Sequence, residues 1–194
     1  MNDWTGNSKS TFTQLGSSAH SEGERQQHDF YATDPKAIEL LLKLEQFKNV
    51  WESACGEGHL SKVLVENNIH GKSSDLIDRG YGEVLNFLGI DIQDWDGDII
   101  TNPPFRFAKE FVQKALSIVP EGRKVAMFLR IQFLEGKDRK AFFKNNLPKT
   151  VYVSSSRIKC GINGDFSGGS SAACYCWIVW EKGWMGETVL KWFN

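Results

Sequence analysis

The chain has 194 residues, 41% of them hydrophobic and 24% charged, and a formal net charge of −1. That length suits one α/β domain with a sizeable core and is short for two enzymatic domains. The apolar runs fall well below the roughly 20 residues of a membrane span, so no membrane partner is expected.

The N-terminus, Met1 to Gly6, has neither a basic start nor an apolar stretch, so no signal peptide is read and a cytoplasmic location is expected. The four cysteines, Cys55, Cys160, Cys174 and Cys176, form no regular framework. Free thiols in a reducing compartment are the expectation, and no resident metal.

Charge is unevenly distributed. Asp75 to Asp98 holds seven acids against one base, Arg79, whereas Glu121 to Lys159 holds ten Lys/Arg against three acids. A basic face suits phosphates, and the same pattern also fits two solvated faces.

Residues 1–28 are polar and without apolar periodicity, which predicts a loosely attached arm ahead of a domain over 29–194. Ile38, Leu41, Leu42 and Leu44 after Pro35 predict a short amphipathic helix. A strand over 49–54 then runs into Cys55-Gly56-Glu57-Gly58, and Leu60, Val63 and Leu64 follow at helical spacing. A second strand over 69–76 ends on acids, and 84–92 is a third short apolar run. Asp98 to Thr101 predicts a buried strand end before Asn102-Pro103-Pro104-Phe105, followed by a helix over 107–119.

A strand over 124–129, a basic helix over 136–146 and a strand over 150–153 come next. The Ser- and Gly-rich stretch 154–171 predicts a mobile loop on the substrate side. Residues 172–180, apolar throughout, predict a central strand buried on both faces, and 187–193 a final strand. Alternating strands and helices imply a mostly parallel sheet flanked by helices, with the last two strands as an antiparallel hairpin.

Three motifs carry chemistry. Gly56 and Gly58 sit between a strand and a helix, where a tight turn lets backbone approach a nucleotide-type ligand. The preceding Glu52 would repel a pyrophosphate and suits a ligand with a positive charge or an amino group; a plain structural turn is the other reading. Asp75, about 20 residues on, stands where a carboxylate accepts ribose hydroxyls; Asp78 is its rival. In Asn102-Pro103-Pro104-Phe105, two prolines stiffen the turn. Such a turn holds the Asn102 amide oxygen and the Pro103 carbonyl to accept hydrogen bonds from an exocyclic NH2. Phe105 offers a flat face for a planar base.

In this order the motifs resemble those of the amino-nitrogen methyltransferases, whose turn is Asn/Asp/Ser-Pro-Pro-aromatic. The likeness runs over residues 30–180. Tyr31, Thr33 and Pro35 are similar to the aromatic-Thr-Pro segment that closes over the cofactor. Glu52, Cys55, Gly56 and Gly58 resemble the cofactor loop, and Asp75 the ribose-binding acid. Asn86 and Phe87 resemble the segment bordering the cofactor's adenine.

The stretches 130–137, 157–160 and 175–182 resemble small phage- or prophage-encoded DNA adenine methyltransferases. The resemblance implies a Rossmann-like methyltransferase fold and S-adenosylmethionine as cofactor. It makes Asn102, Pro103, Pro104 and Phe105 the catalytic turn, and Asn with Phe favours adenine N6 over cytosine N4.

DNA is the expected partner, its adenine extruded from the duplex. Lys137, Arg157 and Lys159 are the candidates for binding it. RNA adenine and a protein glutamine are the rival substrates, and a degenerate cofactor- or DNA-binding module is the non-enzymatic alternative.

Overall fold

The computed structural model describes residues 31–89, 91–158, 160–162 and 173–194. The arm over 1–28, Lys159 and most of the loop over 154–171 lie outside the described residues.

The elements in chain order are β1 (Tyr31–Thr33), α1 (Lys36–Leu42), β2 (Val50–Glu52), α2 (His59–Glu66), β3 (His70–Asp75), β4 (Glu83–Val84) and β5 (Ile99–Thr101). A 3-10 turn (Phe105–Phe107) leads into α3 (Ala108–Ile118) and β6 (Lys124–Arg130). A second 3-10 turn (Ile131–Leu134) precedes α4 (Lys137–Asn145), β7 (Thr150–Ser154), β8 (Cys160–Ile162), β9 (Tyr175–Glu181) and β10 (Val189–Phe193).

Eight strands form one sheet in the order β10-β7-β9-β6-β5-β2-β3-β4. All neighbours run parallel except β9, which is antiparallel to both β6 and β7. Because side chains alternate across a strand, adjacent residues feed opposite faces. Ile100, Ala126, Phe128 and Trp177 pack with Ile38 and Leu41 of α1 and Leu60, Val63 and Leu64 of α2. Ile99, Val125, Met127 and Ile178 pack with Phe111, Val112 and Ala115 of α3 and Phe142 of α4. The result is a sheet between two helical layers, the Rossmann-like arrangement expected.

Three expectations change in detail. First, β9 and β10 run in opposite directions but do not pair, since β7 lies between them. β9 is buried along six of its seven residues, so it belongs mid-sheet, while Val189, Leu190 and Trp192 of β10 are exposed at the edge. The connection over 182–188 is long enough to step across one strand, about 10 Å for two inter-strand spacings.

Second, the run over 84–92 yields only the two-residue edge strand β4. Asn86 ends it by accepting the Leu88 N–H in a local turn, which drives Phe87 into the core. Third, the N-terminal part of the expected loop over 154–171 is partly ordered: Cys160–Ile162 forms β8 and pairs antiparallel with β1 as a separate two-stranded ribbon.

Among the described residues no helix is long and apolar enough to cross a membrane, and no group of three His, Cys, Asp or Glu side chains could hold a metal ion.

Candidate active site

In an open parallel sheet, ligands bind outside the carboxyl ends of the strands, where connections turn to opposite sides. Here the chain proceeds from β2 outward through β3 and β4, then returns to β5 and β6 on the other side. The crevice between β2 and β5 is therefore the switch point. The two turns singled out from sequence follow these adjacent strands, Cys55 to Gly58 after β2 and Asn102 to Phe105 after β5.

Gly56 and Gly58 have φ of 54° and 78°, a region that a side chain disfavours. Gly58 has a second reason to lack one: a Cβ there would lie 2.5 Å from the Tyr81 ring. The Gly56 N–H donates to Asp75 Oδ2 at 2.8 Å, and the other oxygen accepts from Ile77 N–H at 3.0 Å. Asp75 thus ends β3 against the glycine turn. Asp78 is exposed beyond it, capping Gly80 N–H in a turn of its own.

Glu52 is placed differently from the sequence argument. Its carboxyl is 2% exposed and accepts a hydrogen bond from the Ser61 hydroxyl of α2. Burial pushes its pKa up to about 8, with Ser61 opposing that rise and the negative charge of Asp75 adding to it. Burial favours its protonated form, and it supports the turn from inside. Cys55 is also buried beside the turn, and burial holds its thiol high, at about 12.

Phe87 lies edge-on to Trp51 at 5.2 Å and beside Phe111 at 5.0 Å. It is a core residue, while Asn86 is exposed. Trp95 packs against Trp51 at 5.5 Å, and its indole N–H donates to the Asn49 and Asp98 carbonyls.

On the other side of the crevice, Asn102 Nδ2 donates to the Thr33 hydroxyl oxygen at 2.8 Å. Pro35 opens α1 at φ −49°, which suits a first helical turn. The Phe105 ring packs on Tyr175, 6.0 Å between centroids, and the Arg130 guanidinium lies 4.7 Å from its centre. Tyr31, the first residue of β1, pairs with Ile162 of β8.

The structure therefore gathers Thr33, Gly56, Gly58, Asp75 and Asn102 to Phe105 at one edge of the sheet. Glu52 and Phe87 sit beneath that edge. Tyr81, a loop tyrosine, joins it unannounced by any motif, and Arg130, the last residue of β6, joins it from a stretch to which the sequence assigned no site role.

The basic stretch does not form one face, because β6 carries it across the sheet. Arg123 and Lys124, at the far end, pair with Asp96 and Glu45, and Lys149 pairs with Glu181. Arg130 lies at the site end. Lys137, which opens α4, and Arg157 are both exposed.

The sequence matches no family model and no curated protein. Solved structures do resemble it. A protein from Listeria monocytogenes assigned to the class I S-adenosylmethionine-dependent methyltransferases aligns over 88% of this chain and 68% of its own, at 14% identity and a TM-score of 0.56. A Pyrococcus horikoshii protein assigned as an RNA methyltransferase aligns over 80% and 87%, at 16% identity and 0.53. A modification subunit assigned to a type I restriction enzyme of Vibrio vulnificus aligns over 85% of this chain and 46% of its own, at 15% identity and 0.54. At such identities the likeness shows the fold.

Proposed function

We propose that this chain is an S-adenosylmethionine-dependent methyltransferase acting on an exocyclic amino nitrogen, with adenine N6 in DNA as its substrate. The observation that carries this is the placement of the glycine turn and the Asn102-Pro103-Pro104-Phe105 turn on adjacent strands at the switch point. Positive φ at Gly56 and Gly58, and the Asp75 carboxylate at the end of β3, fit a nucleoside cofactor. Gly56, Gly58 and Asp75 would hold it, with Tyr31, Thr33 and Pro35 on the closing segment. Bound there, it supplies an electrophilic methyl group.

The chain's own task is to present the acceptor. Asn102 Oδ1 and the Pro103 carbonyl accept the two N–H groups of the substrate, which directs the nitrogen lone pair out of their plane. Phe105 stacks the base. Arg130 lies over this ring and Tyr175 packs on it, so a stacking base displaces a neighbour that the ring now has. Adenine N6 is buried in a base pair, so the base leaves the duplex to reach the turn. The Vibrio neighbour's description supports DNA, and the Pyrococcus neighbour's supports RNA as the second candidate.

The test is transfer of tritiated methyl groups to separate pools of DNA, RNA and protein. Label in DNA is expected; label in protein alone, or in no pool, contradicts the proposal.

Two further outcomes are expected. Asp75→Ala should weaken cofactor binding in calorimetry by about 1.5–3 kcal/mol, the scale of a charged hydrogen bond. A loss seen with Asp78→Ala instead would reassign the acid. Joint replacement of Lys137, Arg157 and Lys159 by alanine should flatten the dependence of log Kd for DNA on log salt, by roughly 0.9 for each phosphate that is no longer neutralised. An unchanged slope would place the phosphates elsewhere.

A further inference from the structure

Thr33 belongs by resemblance to the segment that closes over a cofactor, but its hydrogen bonds lead to the other half of the site. It is the last residue of β1 and 4% exposed, and its hydroxyl oxygen accepts the Asn102 Nδ2 hydrogen bond at 2.8 Å. β8 lies antiparallel to β1 with Cys160 opposite Thr33. The Thr33 hydroxyl thus lies where β1 meets β8, beside Cys160, with its oxygen on the Asn102 amide.

We infer that Thr33 is a positioning residue for Asn102, fixing which end of the amide meets the substrate. This rests on the proposed function, since it requires Asn102 to receive the substrate's amino group.

An asparagine amide has two ends of nearly equal shape and opposite role, one an acceptor and one a double donor. Rotated by half a turn, Asn102 would present Nδ2 to an incoming NH2, donor against donor. The Thr33 hydroxyl oxygen accepts from Nδ2 and so holds the amide by that end. The pairing of β1 with β8 in turn holds Thr33 in place.

The test compares Thr33→Val and Thr33→Ser with the wild type. Valine keeps the volume and branching that suit β1 and removes the hydroxyl; serine keeps the hydroxyl. Three quantities are read: the single-turnover rate at saturating cofactor, cofactor affinity, and exchange of the Asn102 side-chain amide protons by NMR.

Thr33→Val is expected to slow single turnover by about 10-fold or more, the effect of one hydrogen bond worth about 1.4 kcal/mol. Its cofactor affinity should stay within about 2-fold of wild type, and the Asn102 amide should exchange faster. Thr33→Ser should restore both rate and protection. If Thr33→Val does not fold, Thr33→Ala carries the same forecast.

A Thr33→Val enzyme with the wild-type rate overturns the inference. So does one whose defect lies wholly in cofactor affinity, which would return Thr33 to the cofactor site. A wild type that methylates no acceptor overturns the proposed function itself, and this inference with it.

Discussion

Asn102→Ala is expected to lower single-turnover methyl transfer by about 10²-fold or more, because the hydrogen bond it removes is made best as the nitrogen attacks. Cofactor affinity should change little, since Gly56 and Gly58 follow β2 and Asp75 ends β3, whereas Asn102 follows β5. Phe105→Ala, in contrast, should weaken productive DNA binding by about 1–3 kcal/mol through loss of a stacking face, and Phe105→Tyr should be tolerated. A purely structural turn forecasts otherwise: stability and cofactor affinity would fall together and the folded fraction would turn over normally. Melting temperature, cofactor affinity and single-turnover rate on the same samples separate the two. A wild-type rate in Asn102→Ala would remove it from catalysis.

The second large effect is on stability. The Glu52 carboxyl is buried under the glycine turn, and its pKa is raised from the ordinary 4.5 to about 8. Below pH 4.5 the group is neutral in folded and unfolded chains alike and costs nothing. Between 4.5 and 8 the unfolded chain releases this proton and the folded chain keeps it. Stability therefore falls as pH rises, by up to about 1.4 kcal/mol per unit, and the loss is complete above 8.

Glu52→Gln keeps the shape and an oxygen to accept from Ser61, and does not ionise. It should match the wild type near pH 5 and exceed it by on the order of 4 kcal/mol near pH 9. Urea unfolding at several pH values measures this. Parallel stability curves for the two proteins would show that Glu52 is not held neutral.

Apolar pattern made most of the elements legible. The fully apolar run of β9 announced a buried central strand, and turn glycines marked the boundaries of β2 and α2. Sheet order was less legible, because a seven-residue connection permits both a hairpin and a step across β7. The site was legible where its residues are local, as in Gly56 to Gly58 and Asn102 to Phe105. It was not where the partners lie far apart along the chain: Thr33 and Asn102 are 69 residues apart, and Tyr81 reaches Gly58 only after β3 is laid beside β2.

Burial was not legible at two candidate cofactor residues: Glu52 lies inside, and Phe87 packs on Trp51. The basic stretch looked like one surface because sequence does not reveal that β6 runs from one edge of the sheet to the other.

The central claim is that the turn after β5 presents an amino nitrogen to a methyl donor held by the turn after β2. Its most direct measurement is mass spectrometry of nucleosides from DNA incubated with the enzyme and S-adenosylmethionine. N6-methyladenine is predicted with the wild type and not with Asn102→Ala at matched cofactor occupancy. That claim is contradicted if the folded wild-type protein leaves every DNA base unmethylated, or if Asn102→Ala yields as much N6-methyladenine as the wild type.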